Sequence, residues 1–127
     1  MLVSLENPSQ TLWCPFSRAI MLDPMPTYQV HVRRLDPSLA ELHITFNDLP
    51  HGVELSGRLM GPRCPGVTTV EVAYRLRPTP SADTWQVLIP EPVFWSVDRP
   101  MVYEGPVEFR RDGETVGTLQ ISVGIKA

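Results

Sequence analysis

The C-terminal part of the chain alternates apolar and polar residues in two successive runs. In the first run Tyr103, Val107 and Phe109 alternate with charged residues, and in the second run residues 119–125 alternate in the same way. A period of two is typical of strands with one buried face. Asp112-Gly113 separates the runs, and this dipeptide tolerates the positive φ angles of a two-residue turn. The pattern predicts an antiparallel hairpin.

Pro106 interrupts the first of these runs, directly after Gly105. Proline has no N–H and cannot donate a hydrogen bond to a neighbouring strand. We therefore expect the strand to lie at a sheet edge at this point, or to bulge beside Gly105.

A second predicted hairpin covers residues 28–34 and 39–46, which both alternate, with Asp36-Pro37-Ser38 as the turn between them. Because side chains alternate between the two faces of a sheet, one register must suit both faces. Folding about Pro37 gives these cross-strand pairs: Arg33 with Glu41, His31 with His43, Val32 with Leu42, and Val30 with Ile44.

Further alternating runs over residues 53–60, 67–76 and 84–89 are separated by turn residues, chiefly Gly, Pro, Asn and Asp. About seven short strands at regular spacing are typical of a two-sheet antiparallel β-sandwich. We expect an all-β fold with one sandwich domain over residues 27–127.

Residues 1–26 form an N-terminal arm that is irregular by pattern and contains four prolines. The arm nevertheless carries apolar side chains that a solvated tail would not hold. We expect it to pack on its own sandwich or on a second copy by adding a strand at an open sheet edge, with one short strand over residues 18–22. The candidate interaction surface consists of Leu12, Trp13, Phe16, Ile20 and Leu22.

Residues 95–103 read WSVDRPMVY, and the hairpin that follows ends at Gly124-Ile125-Lys126. The first segment resembles the Trp-(Ser/Thr)-x-(Glu/Asp)-x-Pro-x-Leu-Tyr motif of the immunoglobulin-like domain in glycoside hydrolase family 2, the β-galactosidase and β-glucuronidase family. In those enzymes the hairpin ends at Gly-(Ile/Phe)-Arg, where the catalytic barrel begins. This chain departs from the pattern at Val102, at Lys126 and at Pro106.

The resemblance implies an immunoglobulin-like, fibronectin III-like sandwich. Residues 11–32 resemble, more loosely, the exit of the jelly-roll domain that precedes the sandwich in the same enzymes. The catalytic glutamates of that family lie in the barrel, which has no counterpart in these residues. We therefore expect no enzymatic activity from the resemblance.

Composition restricts the class of protein further. The 127 residues suit one domain, and the 14 prolines are about twice the usual share of roughly 5%, which fits short strands joined by turns. The net charge of −3, without a basic run longer than two residues, argues against a nucleic-acid partner. No apolar leader or membrane-length apolar run is visible, so we expect a cytoplasmic protein without a membrane partner.

Histidines, cysteines and acidic pairs are candidates for carrying chemistry. His31 and His43 supply two metal ligands where at least three are needed, so we expect no metal. Cys14 and Cys64 lack a histidine or CxxC spacing, which favours free, inert thiols. The acidic pairs Glu104 with Glu108 and Glu91 with Asp98 are predicted to lie on a wet surface, where no carboxyl would acquire the raised pKa of a catalytic acid.

The three tryptophans are candidate platforms for sugar rings. Trp85 shares its strand parity with Val87 and Ile89, and Trp95 lies in the family motif, so both are predicted to be core residues. Trp13 remains either a sugar platform or an anchor between chains.

The sequence predicts a non-catalytic accessory domain that binds a protein partner or its own copy and needs no cofactor. The alternative is a carbohydrate-binding module, and an enzyme with an unrecognised site is a third possibility.

Overall fold

The computed structural model describes residues 22–126, which form eight strands and no helix. No helix long and apolar enough to cross a membrane is therefore found in this range. The predicted all-β class and two-sheet arrangement are confirmed. The strands are β1 (Thr27–Asp36), β2 (Leu39–Asn47), β3 (Glu54–Arg63), β4 (Val72–Arg75), β5 (Arg77–Pro78), β6 (Thr84–Pro90), β7 (Val102–Arg111) and β8 (Glu114–Val123).

Each sheet contains four strands, and all strand pairs are antiparallel. The first sheet has the order β1-β2-β6-β5 and the second has the order β4-β3-β7-β8. The pairs β1–β2 and β7–β8 are joined by two-residue turns, and β3–β4 and β5–β6 by longer loops. The chain crosses from one sheet to the other after β2, after β4 and after β6. One more strand is present than the predicted seven because β5 pairs as a separate two-residue strand with β6.

The core lies between the two sheets and is filled by alternate residues of the long strands. Phe46 of the first sheet packs edge-on against Phe109 of the second, with their ring centroids 5.7 Å apart. Trp85 makes a similar contact with Phe46, also at 5.7 Å. Full burial of such side chains contributes about 1.5–3 kcal/mol each. The most deeply buried large side chains are Tyr103, Phe46, Phe109, Leu42, Ile44, Leu59, Ile89, Ile121 and Ile125.

The predicted turn of the C-terminal hairpin is confirmed. Asp112 and Gly113 have φ angles of 52° and 80°, and the flanking residues Arg111 and Glu114 face each other across the turn. Positive φ at both central residues is what the right-handed twist of a two-residue hairpin requires.

The prediction of a sheet edge at Pro106 or a bulge beside Gly105 is wrong. β7 lies between β3 and β8, and its register with β3 is the same on both sides of Gly105 and shifts only between Met60 and Arg63. The pairing of β7 with β3 instead skips one stretch, between the pairs Gly57–Val107 and Met60–Glu104. Here the carbonyl oxygen of Arg58 occupies the space that a Cβ atom on Gly105 would need. The missing N–H of Pro106 is thus accommodated by an interruption of the ladder within the sheet.

The β1–β2 register agrees with the prediction at three of its four pairs. His31 lies opposite His43, and the Val30–Ile44 and Val32–Leu42 pairs are also present. The expected pair of Arg33 with Glu41 is wrong, because the register shifts between Val32 and Arg34 and places Arg34 opposite Glu41. Arg33 is the extra residue of a β-bulge, a feature that leaves the simple alternation unchanged up to Val32.

The region predicted as one strand over residues 67–76 is different in the structure. Only Val72–Arg75 pairs with β3, and Val70 is 88% exposed. The chain leaves the second sheet at Leu76, which is buried and donates its N–H to the carbonyl of Gly57 at 3.0 Å. Val70 thus continues the alternation of apolar and polar residues in the sequence, but its side chain is not buried.

The two tryptophans that are predicted to be core residues differ in their burial. Trp85 is buried at 8% exposure, as predicted. Trp95 is only partly buried and lies outside the core cluster, whereas its neighbour Phe94 packs against that cluster. The Trp95 N–H donates to the carbonyl of Ile125 at 2.7 Å, so the residue joins the end of β8 at the surface.

Candidate functional site

The candidate interaction surface of the arm is described only at its last residue. Leu12, Trp13, Phe16 and Ile20 lie outside the described residues, and so does most of the predicted strand over residues 18–22. Leu22 is partly buried against the core cluster, together with Met25. The N–H of Leu22 donates to the carbonyl of Val116 in β8 at 2.8 Å. The end of the arm is thus held to its own sandwich at β8.

The segment from Leu22 to Tyr28, whose last two residues belong to β1, contacts β8 at three points: Val116, Gly117 and Ser122. The thioether of Met25 lies where a Cβ atom on Gly117 would come within 2.8 Å of it, so this glycine makes room for the methionine. Farther along, the backbone N–H of Ser122 donates to the phenolic oxygen of Tyr28 at 3.3 Å. Segment 22–28 therefore occupies hydrogen-bonding groups near both ends of the β8 edge.

The other three edge strands each carry a feature that discourages pairing with another sheet. β1 has the bulge and the adjacent charges of Arg33 and Arg34. β4 has four residues, and β5 has two residues, one of which is Pro78. Bulges, charges, prolines and short length are the usual protections of an exposed edge. A partner is therefore not expected to add a strand to either sheet.

The outer face of the first sheet is polar and contains a shallow depression of about 380 Å³ beside His31 and His43. The carboxylate of Glu41 accepts a hydrogen bond from Gln86 and contacts Nε2 of His43, both at 3.0 Å. These contacts, the one with Gln86 above all, lower the pKa of Glu41. Within residues 22–126 no three His, Cys, Asp or Glu side chains are grouped so that they could hold a metal ion.

The acidic residues considered as a catalytic pair are engaged in surface contacts. Glu108 accepts hydrogen bonds from Arg110 and Thr115, both at 3.0 Å, and these bonds lower its pKa. Glu104 lies 3.5 Å from Arg63. A glycosidase acid needs the opposite shift, toward a higher pKa. Glu91 and Asp98, the other pair considered, are both exposed.

Cys64 is a free and partly buried thiol, and its sulfur lies 3.7 Å from the carbonyl oxygen of Pro65. Cys14 lies outside the described residues. No group that would activate a thiol, such as a histidine, is bonded to the Cys64 sulfur in the described part of the chain.

Two tyrosines have structural roles that the sequence patterns did not reveal. Tyr103 is fully buried, and its hydroxyl accepts a hydrogen bond from the backbone N–H of Val93 at 3.0 Å. The hydroxyl of Tyr28 bonds to β8 in the same manner, as described above. Alternation assigned both residues to inward positions, and it contains no signal for what a hydroxyl at the end of the ring will meet.

No model of a known protein family matches this chain, and no curated protein matches it. The resemblance to the glycoside hydrolase domain therefore rests on the sequence segments quoted above. Any function must be argued from the contacts of the molecule itself.

Proposed function

We propose that the sandwich is immunoglobulin-like, of the fibronectin III-like type. The order β1-β2-β6-β5 corresponds to the A-B-E-D sheet of immunoglobulin domains, and the order β4-β3-β7-β8 corresponds to a C-F-G sheet with an added C′ strand, as in fibronectin III-like domains. Tyr103 adds support, because it lies near the start of β7, which is strand F of that scheme, and bonds back to Val93. A tyrosine in this position with an upstream backbone partner is a hallmark of immunoglobulin-like domains.

We propose further that the domain is a non-catalytic interaction module whose N-terminal arm binds a protein surface. The observation that carries this proposal is the attachment of the arm at β8, through Leu22 and Met25. These two side chains pack against the core cluster between the two sheets. Upstream of them the sequence carries further large apolar side chains, among them the four candidate interaction residues Leu12, Trp13, Phe16 and Ile20.

Those four side chains need an apolar surface of their own. Burial of each contributes about 1.5–3 kcal/mol, whereas leaving them in water would create an adhesive patch. The protected edges of both sheets disfavour contact by strand addition. The partner surface is therefore expected to meet the side chains of the arm.

The carboxylates of the described residues support a role other than catalysis. Asp36, Glu41 and Glu108 have lowered pKa values because each accepts hydrogen bonds from neighbours. Such groups stay ionised near neutral pH and serve as acceptors, whereas a general acid needs a carboxyl that keeps its proton.

The alternative function, carbohydrate binding, requires an aromatic ring with an open face. The ring of Trp95 has Nζ of Lys126 at 5.0 Å from its centroid and lies close to Gly124. Trp13 is therefore the better candidate platform among the tryptophans outside the core.

Three deletion variants test the proposal. Removal of residues 1–10 leaves all four apolar residues, removal of residues 1–21 removes them, and removal of residues 1–24 also removes Leu22. We expect the shortest deletion to behave as the full chain. The two longer deletions should change the number of chains per particle, measured by light scattering, or the melting temperature. The loss of Leu22 should lower the melting temperature further.

The result that contradicts the proposal is an unchanged number of chains per particle and an unchanged melting temperature after removal of residues 1–24. A glycan array with the full chain and with Trp13→Ala separates the alternative. Binding of sugars by a monomer, abolished by that substitution, would replace the interaction function with carbohydrate recognition.

A further inference from the structure

Two arginines face each other on the outer surface of the second sheet. Arg58 of β3 and Arg75 of β4 are direct cross-strand partners, and both side chains are exposed. Neither forms an ion pair within residues 22–126. Like charges directly opposite each other destabilise a sheet, so this pair is unfavourable unless an anion joins it.

The carboxylates on the neighbouring strand bind other arginines. Glu108 accepts hydrogen bonds from Arg110 and Thr115, which engage both of its oxygens. Glu104 on the same strand lies 3.5 Å from Arg63. The two facing guanidinium groups are thus left with solvent as their partner in the described part of the chain.

The arginines border a surface depression of about 370 Å³. The hydroxyl-bearing residues Ser56 and Thr118 also line it, and Pro106 contributes a short side chain between the longer ones. Pro106 lies where the pairing of β3 with β7 is interrupted. The depression therefore combines two cationic forks with two hydroxyl groups around one open space.

We propose that this depression binds a tetrahedral oxyanion, a phosphate or sulfate group, between Arg58 and Arg75. A guanidinium group presents its N–H donors as a planar fork that matches two oxygens of such an anion. Two forks on adjacent strands, with Ser56 and Thr118 as further donors, suit an anion with several oxygens. The bound anion would also cancel the repulsion between the two arginines.

Glu108 is the one acidic residue that lines the depression, and its charge opposes an anion. Its hydrogen bonds with Arg110 and Thr115 offset part of that charge. Glu108 should therefore weaken anion binding without preventing it. This residue also gives the proposal a second, opposite test.

The site does not depend on the proposed interaction function, because inorganic anions probe it directly. Sodium phosphate, sodium sulfate and O-phosphoserine are titrated into the full chain at low ionic strength, with sodium chloride as the ionic control. Amide signals in a ¹H–¹⁵N spectrum report the result. We expect saturable shifts at Ser56, Arg58, Arg75 and Thr118, and weaker binding as salt is added, because exposed charges are screened.

Variants decide which residues hold the anion. Arg58→Ala and Arg75→Ala should each weaken binding about tenfold, the size expected for loss of hydrogen bonds to a charged group. Arg99→Ala removes an exposed arginine outside the depression and should leave the affinity unchanged. Glu108→Gln should strengthen binding a few-fold. Thermal melting of each variant checks that the fold is intact.

Three results would overturn the proposal: shifts that do not saturate, shifts that sodium chloride reproduces, or equal affinity in Arg58→Ala and Arg99→Ala. Tighter binding of O-phosphoserine than of inorganic phosphate assigns the site to an esterified phosphate group. Equal binding of the two assigns it to the free ion. Either of these two outcomes supports the site.

Discussion

The hydroxyl of Tyr103 accepts a hydrogen bond from the backbone N–H of Val93 at 3.0 Å. Tyr103 is fully buried near the start of β7, and Val93 lies in the connection that brings the chain from the first sheet to the second. The side-chain bond therefore helps to fix this crossing, together with the backbone bond from Trp95 to Ile125 in the same connection.

Tyr103→Phe should lower the free energy of unfolding by about 1–2 kcal/mol, because it leaves the Val93 N–H without its partner. Tyr74→Phe is the matched control: Tyr74 packs edge-on against Tyr103 but makes no hydrogen bond through its hydroxyl within the described residues. It should cost less than about 0.5 kcal/mol. Urea denaturation of both variants gives the comparison, and equal losses would show that the hydroxyl of Tyr103 is unimportant.

Trp85→Ala should destabilise the fold by about 3–5 kcal/mol, as truncation of a buried aromatic does. Trp95→Ala should cost about 1–2 kcal/mol, because Trp95 is partly exposed and lies outside the core cluster. Chemical denaturation measures both. A larger loss for Trp95 than for Trp85 would contradict the placement of these residues.

Gly105→Ala should destabilise the fold by about 3 kcal/mol or more, because the new Cβ atom would overlap the backbone carbonyl of Arg58. Gly117→Ala is the control, since its Cβ atom would crowd the flexible end of Met25 and make an ordinary contact with Phe109. That variant should stay within about 1 kcal/mol of the parent. Comparable melting temperatures for the two variants would disprove the close approach at Gly105.

The pKa of Asp36 is lowered from 3.8 to about 2, first by its hydrogen bonds with Ser38 and then by Arg34. A carboxyl group whose pKa is lower in the folded state stabilises the fold above its unfolded pKa and loses that effect as the pH falls. We expect Asp36→Ala to be less stable than the parent at pH 7. The difference should shrink between pH 4 and pH 2.

Unfolding curves at pH 7, 4 and 2 for the parent and for Asp36→Ala measure this difference. Asp83→Ala serves as a control at another exposed loop carboxylate. A difference between parent and Asp36→Ala that is the same at pH 2 and at pH 7 would contradict a role for the ionised carboxylate.

The sequence predicted the elements whose local signals agree. Alternation and turn chemistry together located the β7–β8 hairpin, its Asp112-Gly113 turn and the opposition of His31 and His43. These features depend on residues close in sequence. Side-chain parity and turn geometry are sufficient to specify such features.

The features that were missed depend on contacts between distant residues. The bulge at Arg33 adds one residue to β1 that the apolar and polar pattern does not reveal. Val70 is exposed because pairing with β3 begins only at Val72. Pro106 is expected at an edge or beside a bulge, because proline has no N–H to donate to a neighbouring strand. Pro106 is tolerated within the sheet where the carbonyl of Arg58 closely approaches Gly105. That contact joins two segments that are distant in sequence, so neither segment reveals it alone.

The anion site could be predicted from the sequence only in part. The parity of β3 places Arg58 on its polar face, and the parity of the following run does the same for Arg75. Their opposition across β3 and β4 requires the register of two strands joined by a long turn region, and no local pattern specifies that register.

The attachment of segment 22–28 to β8 has a mechanical consequence. Leu22 bonds to Val116 and Tyr28 to Ser122, so the segment and β8 run in the same direction. A pulling force applied at Leu22 and at Ile125 would slide the two past each other and load both bonds together in shear. These two hydrogen bonds therefore oppose a pulling force on the arm and the C-terminal end, and both would have to break before the chain could extend.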